Sequence, residues 1–314
     1  MGVLLNQYYV QIAIFVLLNA ILGVSIYMTL STGQLSLGNA GFMSIGAYTG
    51  AILTVKAGLP VYLAIPLGGI AASFISLIIG FPALRLSGIY LAIATLGFGE
   101  VVRVIVLNLK ITNGALGISG IQTLGTRISK MLSSVGLSHG FGGLTIQQFS
   151  NLLVLIILLL ILIFLIFFST RLKRSRVGRA FDAIKADEAA AEAMGINTTY
   201  YKILAFALGA LIAGIAGGLS AHLTSYIGAK DFAYNRTVEI LSYAVLGGSD
   251  LIAGPIIGAF LLTLMPELLR SASEYRMMIY GALMVAMMAF RPQGLISEVT
   301  VRFWKVKLGR RIKP

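Results

Sequence analysis

Charged side chains are absent from residues 1–55, 57–84, 86–99, 131–170 and 203–228, and these runs are filled largely by aliphatic, aromatic and small residues. About 20 such residues suffice for a helix to cross the hydrocarbon core of a bilayer. Polar and glycine-rich punctuation divides the runs into predicted membrane segments near 10–30, 36–56, 60–81, 88–107, 149–169, 200–220, 236–249, 253–269 and 277–290. The pattern predicts an all-α, polytopic transmembrane helix bundle in a single domain covering 1–314, with about eight or nine membrane segments, some of them broken helices.

The longest polar interruption is 171–200, RLKRSRVGRAFDAIKADEAAAEAMGINTTY. It opens with Arg171, Lys173, Arg174, Arg176 and Arg179 directly after an apolar run, the arrangement that marks the cytoplasmic side of a membrane helix. It then turns Ala-rich and acidic, predicting a short cytoplasmic helix, with Gly195 as its stop and Asn197 as the cap of the next helix. The C-terminal tail carries Arg302, Lys305, Lys307, Arg310, Arg311 and Lys313 and is expected on the same side. An even number of crossings must separate two cytoplasmic segments, so 236–249 either crosses or folds back. Nine crossings put the uncharged N-terminus outside and the C-terminus inside. The first residues lack a basic n-region and a small-residue cleavage site, so the first helix is expected to be retained.

The segment 108–148 then lies outside, on the periplasmic face, and Ile121, Leu124, Ile128, Leu132 and Val135 recur in it at helical spacing. They predict an amphipathic helix along the outer surface. Small residues four apart, Gly46 with Gly50, Gly209–Ala213–Gly217, Ala210–Gly214–Gly218 and Gly254 with Gly258, predict close helix crossings. Two glycine-rich turns carry polar side chains between apolar runs: Thr32, Gln34, Ser36 and Asn39 in the first, Ser249 in the second. Such backbone at membrane depth is tolerated inside protein or beside a water-filled cavity, which makes these residues candidates for a translocation pathway. Glu100 with Arg103 reads as the one acid–base pair inside a membrane run; three apart on a helix, they can neutralise each other, and Glu100 joins the pathway candidates.

Composition narrows the chemistry. The 314 residues are 58% hydrophobic and 11% charged, against about 25% charged in soluble domains, so the chain reads as an integral membrane protein. The net charge of +13 is sorted to segment ends rather than gathered on a domain face, which fits membrane orientation and not nucleic acid. There is no cysteine, and His139 and His222 stand singly, both expected near the outer surface as interfacial residues, so no metal-ligand set or catalytic constellation emerges. No GxxxxGK[ST] loop occurs, so the chain is not expected to hydrolyse ATP itself.

Six stretches carry a likeness to a known family: LSTGQLSLGNAGFMSIGAYTGAIL (30–53), PALRLSGIYLAIATLGFGEVVR (82–103), NGALGISGI (113–121), SRVGRAFDAIKADEAAAEAMGINTTYYKILAFALGALIAGIAGGLSA (175–221), VLGGSDLIAGPIIGA (245–259) and FRPQGLI (290–296). Together, in this order, they resemble the inner-membrane permeases of ATP-binding-cassette importers for branched-chain amino acids, the Liv family, and its M-type more than its H-type subunits. The resemblance implies a non-enzymatic permease that binds no cofactor, paired with a second permease, two cytoplasmic ATPases that hold the ATP, and a periplasmic amino-acid-binding protein. It also implies that 171–200 is the coupling segment seated in an ATPase groove, with Arg179, Ala180, Ile184, Glu188, Ala189, Ala190, Glu192, Ala193 and Gly195 as contacts. In this chain Glu188-Ala189-Ala190 is followed by four residues and then Gly195, one more than in the general importer loop. Urea, amide or sugar cargo within the same superfamily, and ion-coupled secondary transport, are the competing readings.

Overall fold

The computed structural model describes residues 7–134, 145–268, 276–290 and 294–296. Twelve α-helices follow in order: α1 Gln7–Leu30, α2 Asn39–Val55, α3 Val61–Ala83, α4 Gly88–Asn108, α5 Leu124–Ser134, α6 Ile146–Arg174, α7 Arg176–Ala186, α8 Glu188–Ala193, α9 Thr198–Thr224, α10 Tyr234–Gly247, α11 Ala253–Leu268 and α12 Arg276–Phe290. The fold is all-α; the only strand pairing among the described residues joins Ile118 to Ile227 and Ser119 to Tyr226, tying 108–123 to the segment after α9. A helix stands at each of the nine expected positions, and five of them, α1, α3, α4, α6 and α9, are long and apolar enough to cross a membrane. The others are shorter, down to 14 residues in α10, about 21 Å of helix against a hydrocarbon core of about 30 Å. The basic tail, His139 and the part of the 108–148 segment from 135 to 144 lie outside the described residues.

Helix position follows surface chemistry. α1 is apolar all round and is buried all round from Leu18 to Thr29, as a helix without a polar face must be. α9 is its counterpart: its small residues let α1, α2 and α3 close around it. At the α2–α3–α9 crossing Gly46, Gly68 and Gly214 meet backbone to backbone, and a β-carbon on Gly68 would stand 2.6 Å from the Gly46 carbonyl oxygen. α6 lies outside this centre and exposes Ile156, Leu160, Ile163, Phe164 and Phe167, an apolar surface suited to lipid. α5 packs on α6 through Leu124 and Ile128, as the amphipathic spacing anticipates.

His222 departs from expectation. Rather than lying at an interface it is fully buried between α9 and α2, its Nδ1–H donating to the Gly218 carbonyl at 2.7 Å and Nε2 lying 3.1 Å from Thr54 Oγ1. Gly50 lies beside it, its β-carbon position 3.7 Å from the His222 ring, an ordinary packing distance.

One end of the bundle gathers most of the polar turns. Tyr27 and Ser31 at the end of α1, Lys173 at the end of α6, Asp182 and Lys185 of α7, and Ser249 and Asp250 after α10 line a single cleft of about 500 Å³. The backbone of Leu295 and Ile296, just beyond α12, donates to the carbonyls of Leu246 (3.0 Å) and Gly247 (2.9 Å), returning the chain to this same end.

Candidate functional site: the α7–α8 element and the turns beneath it

Three side-chain caps build the element that interrupts the bundle. Ser175 ends α6 and starts α7, its hydroxyl accepting from the amides of Val177 (3.1 Å) and Gly178 (3.4 Å). Asp187 accepts from Ala190 N at 3.0 Å and so starts α8 as a separate helix. Asn197 accepts from Tyr200 N at 3.0 Å and opens α9, after Gly195 turns the chain at a φ of +82°. The expected single helix is therefore two, broken at Asp187.

The burial of this element divides the expected ATPase contacts. Ala180 and Ile184 point inward with Phe181, whose ring meets Tyr201 edge-on at 6.3 Å, and they anchor α7 to the bundle. Arg179, Glu188, Ala189, Ala190, Glu192, Ala193 and Gly195 face outward. Met194 does so as well, at 84% exposure, an apolar anchor that the Ala-rich reading overlooked. Glu188 pairs with Lys202 of α9, fixing α8 against the bundle.

Beneath this surface α7 touches both glycine-rich turns. The Lys185 ammonium pairs with the Asp250 carboxylate at 3.0 Å, and Lys173 Nζ donates to the Asp250 carbonyl at 3.1 Å. Gly33, at a φ of +77°, lies against the Lys185 backbone. The α7 helix thus stands in contact with the α1–α2 loop and with the α10–α11 turn, whose Ser249 shares the cleft with Ser31.

The pathway candidates of the first turn are all buried. Asn39 Nδ2 donates to Ser25 Oγ at 2.7 Å, Thr32 Oγ1 to the Thr29 carbonyl at 3.2 Å, and Ser36 Oγ accepts from Gly38 N at 3.2 Å. Thr95 of α4 reaches across to accept from Leu37 N at 2.9 Å. The Gln34 amide is buried with neither of its ends bonded among the described residues, an arrangement that calls for some other partner to offset its desolvation. Glu100 does not join this group. It forms the expected pair with Arg103, Arg103 Nε donating at 2.8 Å, on an exposed face of α4.

That pair is not the only one in a predicted membrane segment, which corrects the sequence reading. Near the start of α10 the Arg236 guanidinium donates to Glu239 Oε2 at 2.7 Å and to Asn19 Oδ1 of α1 at 2.7 Å. Tyr243 Oη donates to Glu239 Oε1 at 2.8 Å, and Asn19 Nδ2 to Thr263 Oγ1 of α11 at 2.9 Å. The signal in the sequence was the same three-residue spacing that marks Glu100 and Arg103, here Arg236 and Glu239 at the start of the predicted 236–249 segment. No group of His, Cys, Asp and Glu able to hold a metal occurs among the described residues.

Residues 8–288 match the family model described as the branched-chain amino acid transport system permease component. Over 309 residues the chain is 38% identical to the high-affinity branched-chain amino acid transport system permease protein LivM of Salmonella typhimurium, covering 96% of this chain and 72% of that protein. It is 38% identical to LivM of Escherichia coli over 295 residues, 91% of this chain and 69% of that one. A shorter likeness, 32% over 137 residues, covers 41% of this chain and 42% of the LivH permease protein of Escherichia coli. No solved structure matches the chain.

Proposed function

Because the chain belongs to the family of branched-chain amino acid transport system permease components, we propose that it is the M-type translocating subunit of a binding-protein-dependent importer. In this reading it pairs with an H-type permease, receives leucine, isoleucine or valine from a periplasmic binding protein, and is driven by two ATPases bound at its cytoplasmic face. The relatives named for branched-chain amino acids favour that cargo over amides, sugars or an ion-coupled mechanism.

The observation that carries the mechanism is the contact chain at α7. A small-residue surface on α8 faces outward, while on the preceding helix, α7, Lys185 holds Asp250 and the α10–α11 turn. A helix that a partner can grip, tied to a break between two membrane helices, converts movement of that partner into movement within the bundle. Thr32, Gln34, Ser36, Asn39 and Ser249 then form the inner part of the pathway, and Ala180 and Ile184 hold the lever. Purified with its ATPases and second permease in liposomes, and supplied with binding protein, the chain is expected to support ATP-dependent leucine uptake. Hydrolysis without uptake of leucine, isoleucine or valine would refute the assignment.

The same reading includes nine crossings within one domain, with 171–200 cytoplasmic, 108–148 periplasmic, the N-terminus outside and the C-terminus inside. It is supported by the basic end of α6 and by the return of residues 294–296 to the α10–α11 turn. The chain has no cysteine, so Ser133→Cys on α5 and Met194→Cys beside α8 each provide a single label. An impermeant maleimide on intact spheroplasts should modify the first variant and spare the second; the reverse pattern would invert the topology.

A further inference from the structure

A second cleft, of about 540 Å³, opens at the other end of the bundle, between α1, α2, α9, α10 and the 226–232 segment. Its size is that of small-molecule pockets, about 300–1,000 Å³. Its walls divide by chemistry. Phe15, Leu18 and Met43 supply an apolar side, and Asn19, Arg236 and Glu239 a polar one. Lys230 and Asp231 stand exposed at its mouth.

Arg236 is held rigidly by Glu239 and Tyr243 of its own helix and by Asn19 on α1, and a guanidinium with five N–H donors has more of them than these three partners engage. Asp231 uses one carboxylate oxygen to accept from Gly228 N at 2.8 Å, leaving Oδ1 available. A cation preorganised beside carboxylates and an apolar wall matches the three parts of a free apolar amino acid: carboxylate, ammonium and hydrocarbon side chain. A purely structural ion pair would not need a cleft, nor further charges at its entrance.

We propose that this cleft is a binding site for a free branched-chain amino acid within the permease itself. Arg236 receives the α-carboxylate, Asp231 and Glu239 accept from the α-ammonium, and the side chain lies on Phe15, Leu18 and Met43. The proposal rests on the importer reading and adds to it the place where cargo is held after its release from the binding protein.

Two conservative variants test it in the assembled complex in liposomes. Arg236→Lys keeps the charge but loses the planar fork. Asp231→Asn keeps an oxygen able to accept from Gly228 N but loses the charge. Both are expected to lower leucine uptake at least about tenfold, a difference of about 1.4 kcal/mol, while assembly and ATP hydrolysis stimulated by the binding protein persist. Photoactivatable leucine should label peptides from 226–243 in the wild-type complex and lose that labelling in both variants. Uptake within about twofold of wild type in both, or a loss that tracks disassembly and leaves labelling unchanged, would overturn the proposal. A wild-type complex that hydrolyses ATP yet imports no branched-chain amino acid would overturn the importer reading instead.

Discussion

Replacing Ala190 or Ala193 with Trp is expected to leave the protein inserted and folded yet reduce transport more than about tenfold. Both alanines lie on the outward face of α8, three residues apart, with Met194 next to them. Both positions are exposed among the described residues, so a larger side chain there leaves the packing of the bundle intact. A groove that accepts a methyl group has no space for an indole, and overpacking moves backbones when side chains cannot yield. ATP is hydrolysed on other subunits in this reading, and displacing α8 from its seat interrupts the only contact chain proposed to reach Asp250. The measurement is co-purification of the ATPases together with leucine uptake in liposomes. Ala191 supplies the contrast: it is 4% exposed and faces inward, so Ala191→Trp should reduce folded protein rather than coupling. Normal uptake by both outward variants would dismiss α8 as the coupling surface.

Among the described residues, the helices at the nine expected positions were legible because each depends on local apolarity, and the cap at Asn197 was legible at the end of the polar segment. The break at Asp187 was not. Lys185-Ala186-Asp187-Glu188 has ordinary helix propensity, and only the chain's need to turn between α7 and α8 makes Asp187 a cap rather than an interior residue. Tertiary placement also decided the roles of Ala180 and Ile184. They share the polar segment with Ala190 and Ala193, and although Val177, Ala180, Phe181 and Ile184 form an apolar stripe at helical spacing, its role as an anchor shows only once α7 is placed against the bundle.

The candidate site was legible where it is contiguous and hidden where it is assembled. Thr32, Gln34, Ser36 and Asn39 stand together in sequence and are buried together in the structure. The bond from Arg236 to Asn19 joins residues 217 positions apart. Asn19 is an amide in the middle of an apolar helix, a signal visible in the sequence, but its meaning depends on α10 and α11 arriving beside it. His222 was misplaced for the same reason: proximity to a helix end suggested an interface, whereas Gly46 of α2 and Gly217 of α9 let the two helices approach closely and His222 is buried where they meet.

Gly46→Val should have the largest effect on the fold itself. A β-carbon on Gly46 would overlap the Gly214 carbonyl, and on the other side the Gly46 carbonyl oxygen lies where a β-carbon on Gly68 would come within 2.6 Å. Gly214 is equally confined, its own β-carbon position lying 2.9 Å from Gly69 Cα. These neighbours are backbone, so no rotamer change relieves the overlap, and α2 must separate from α9. Overpacking costs about 1–3 kcal/mol where side chains can shift, and more is expected where helices must part. Separation would also expose the Thr54–His222 contact and loosen the buried face of α2 that carries Asn39 and Met43. Folded protein, measured as the monodisperse fraction after detergent extraction, should fall severely. Gly97→Val is the matched control, since a β-carbon on Gly97 meets nothing within 4 Å. If Gly46→Val accumulates and runs as the control does, the α2–α9 crossing is wider than the glycine contacts require, and the central packing of the bundle must be drawn differently.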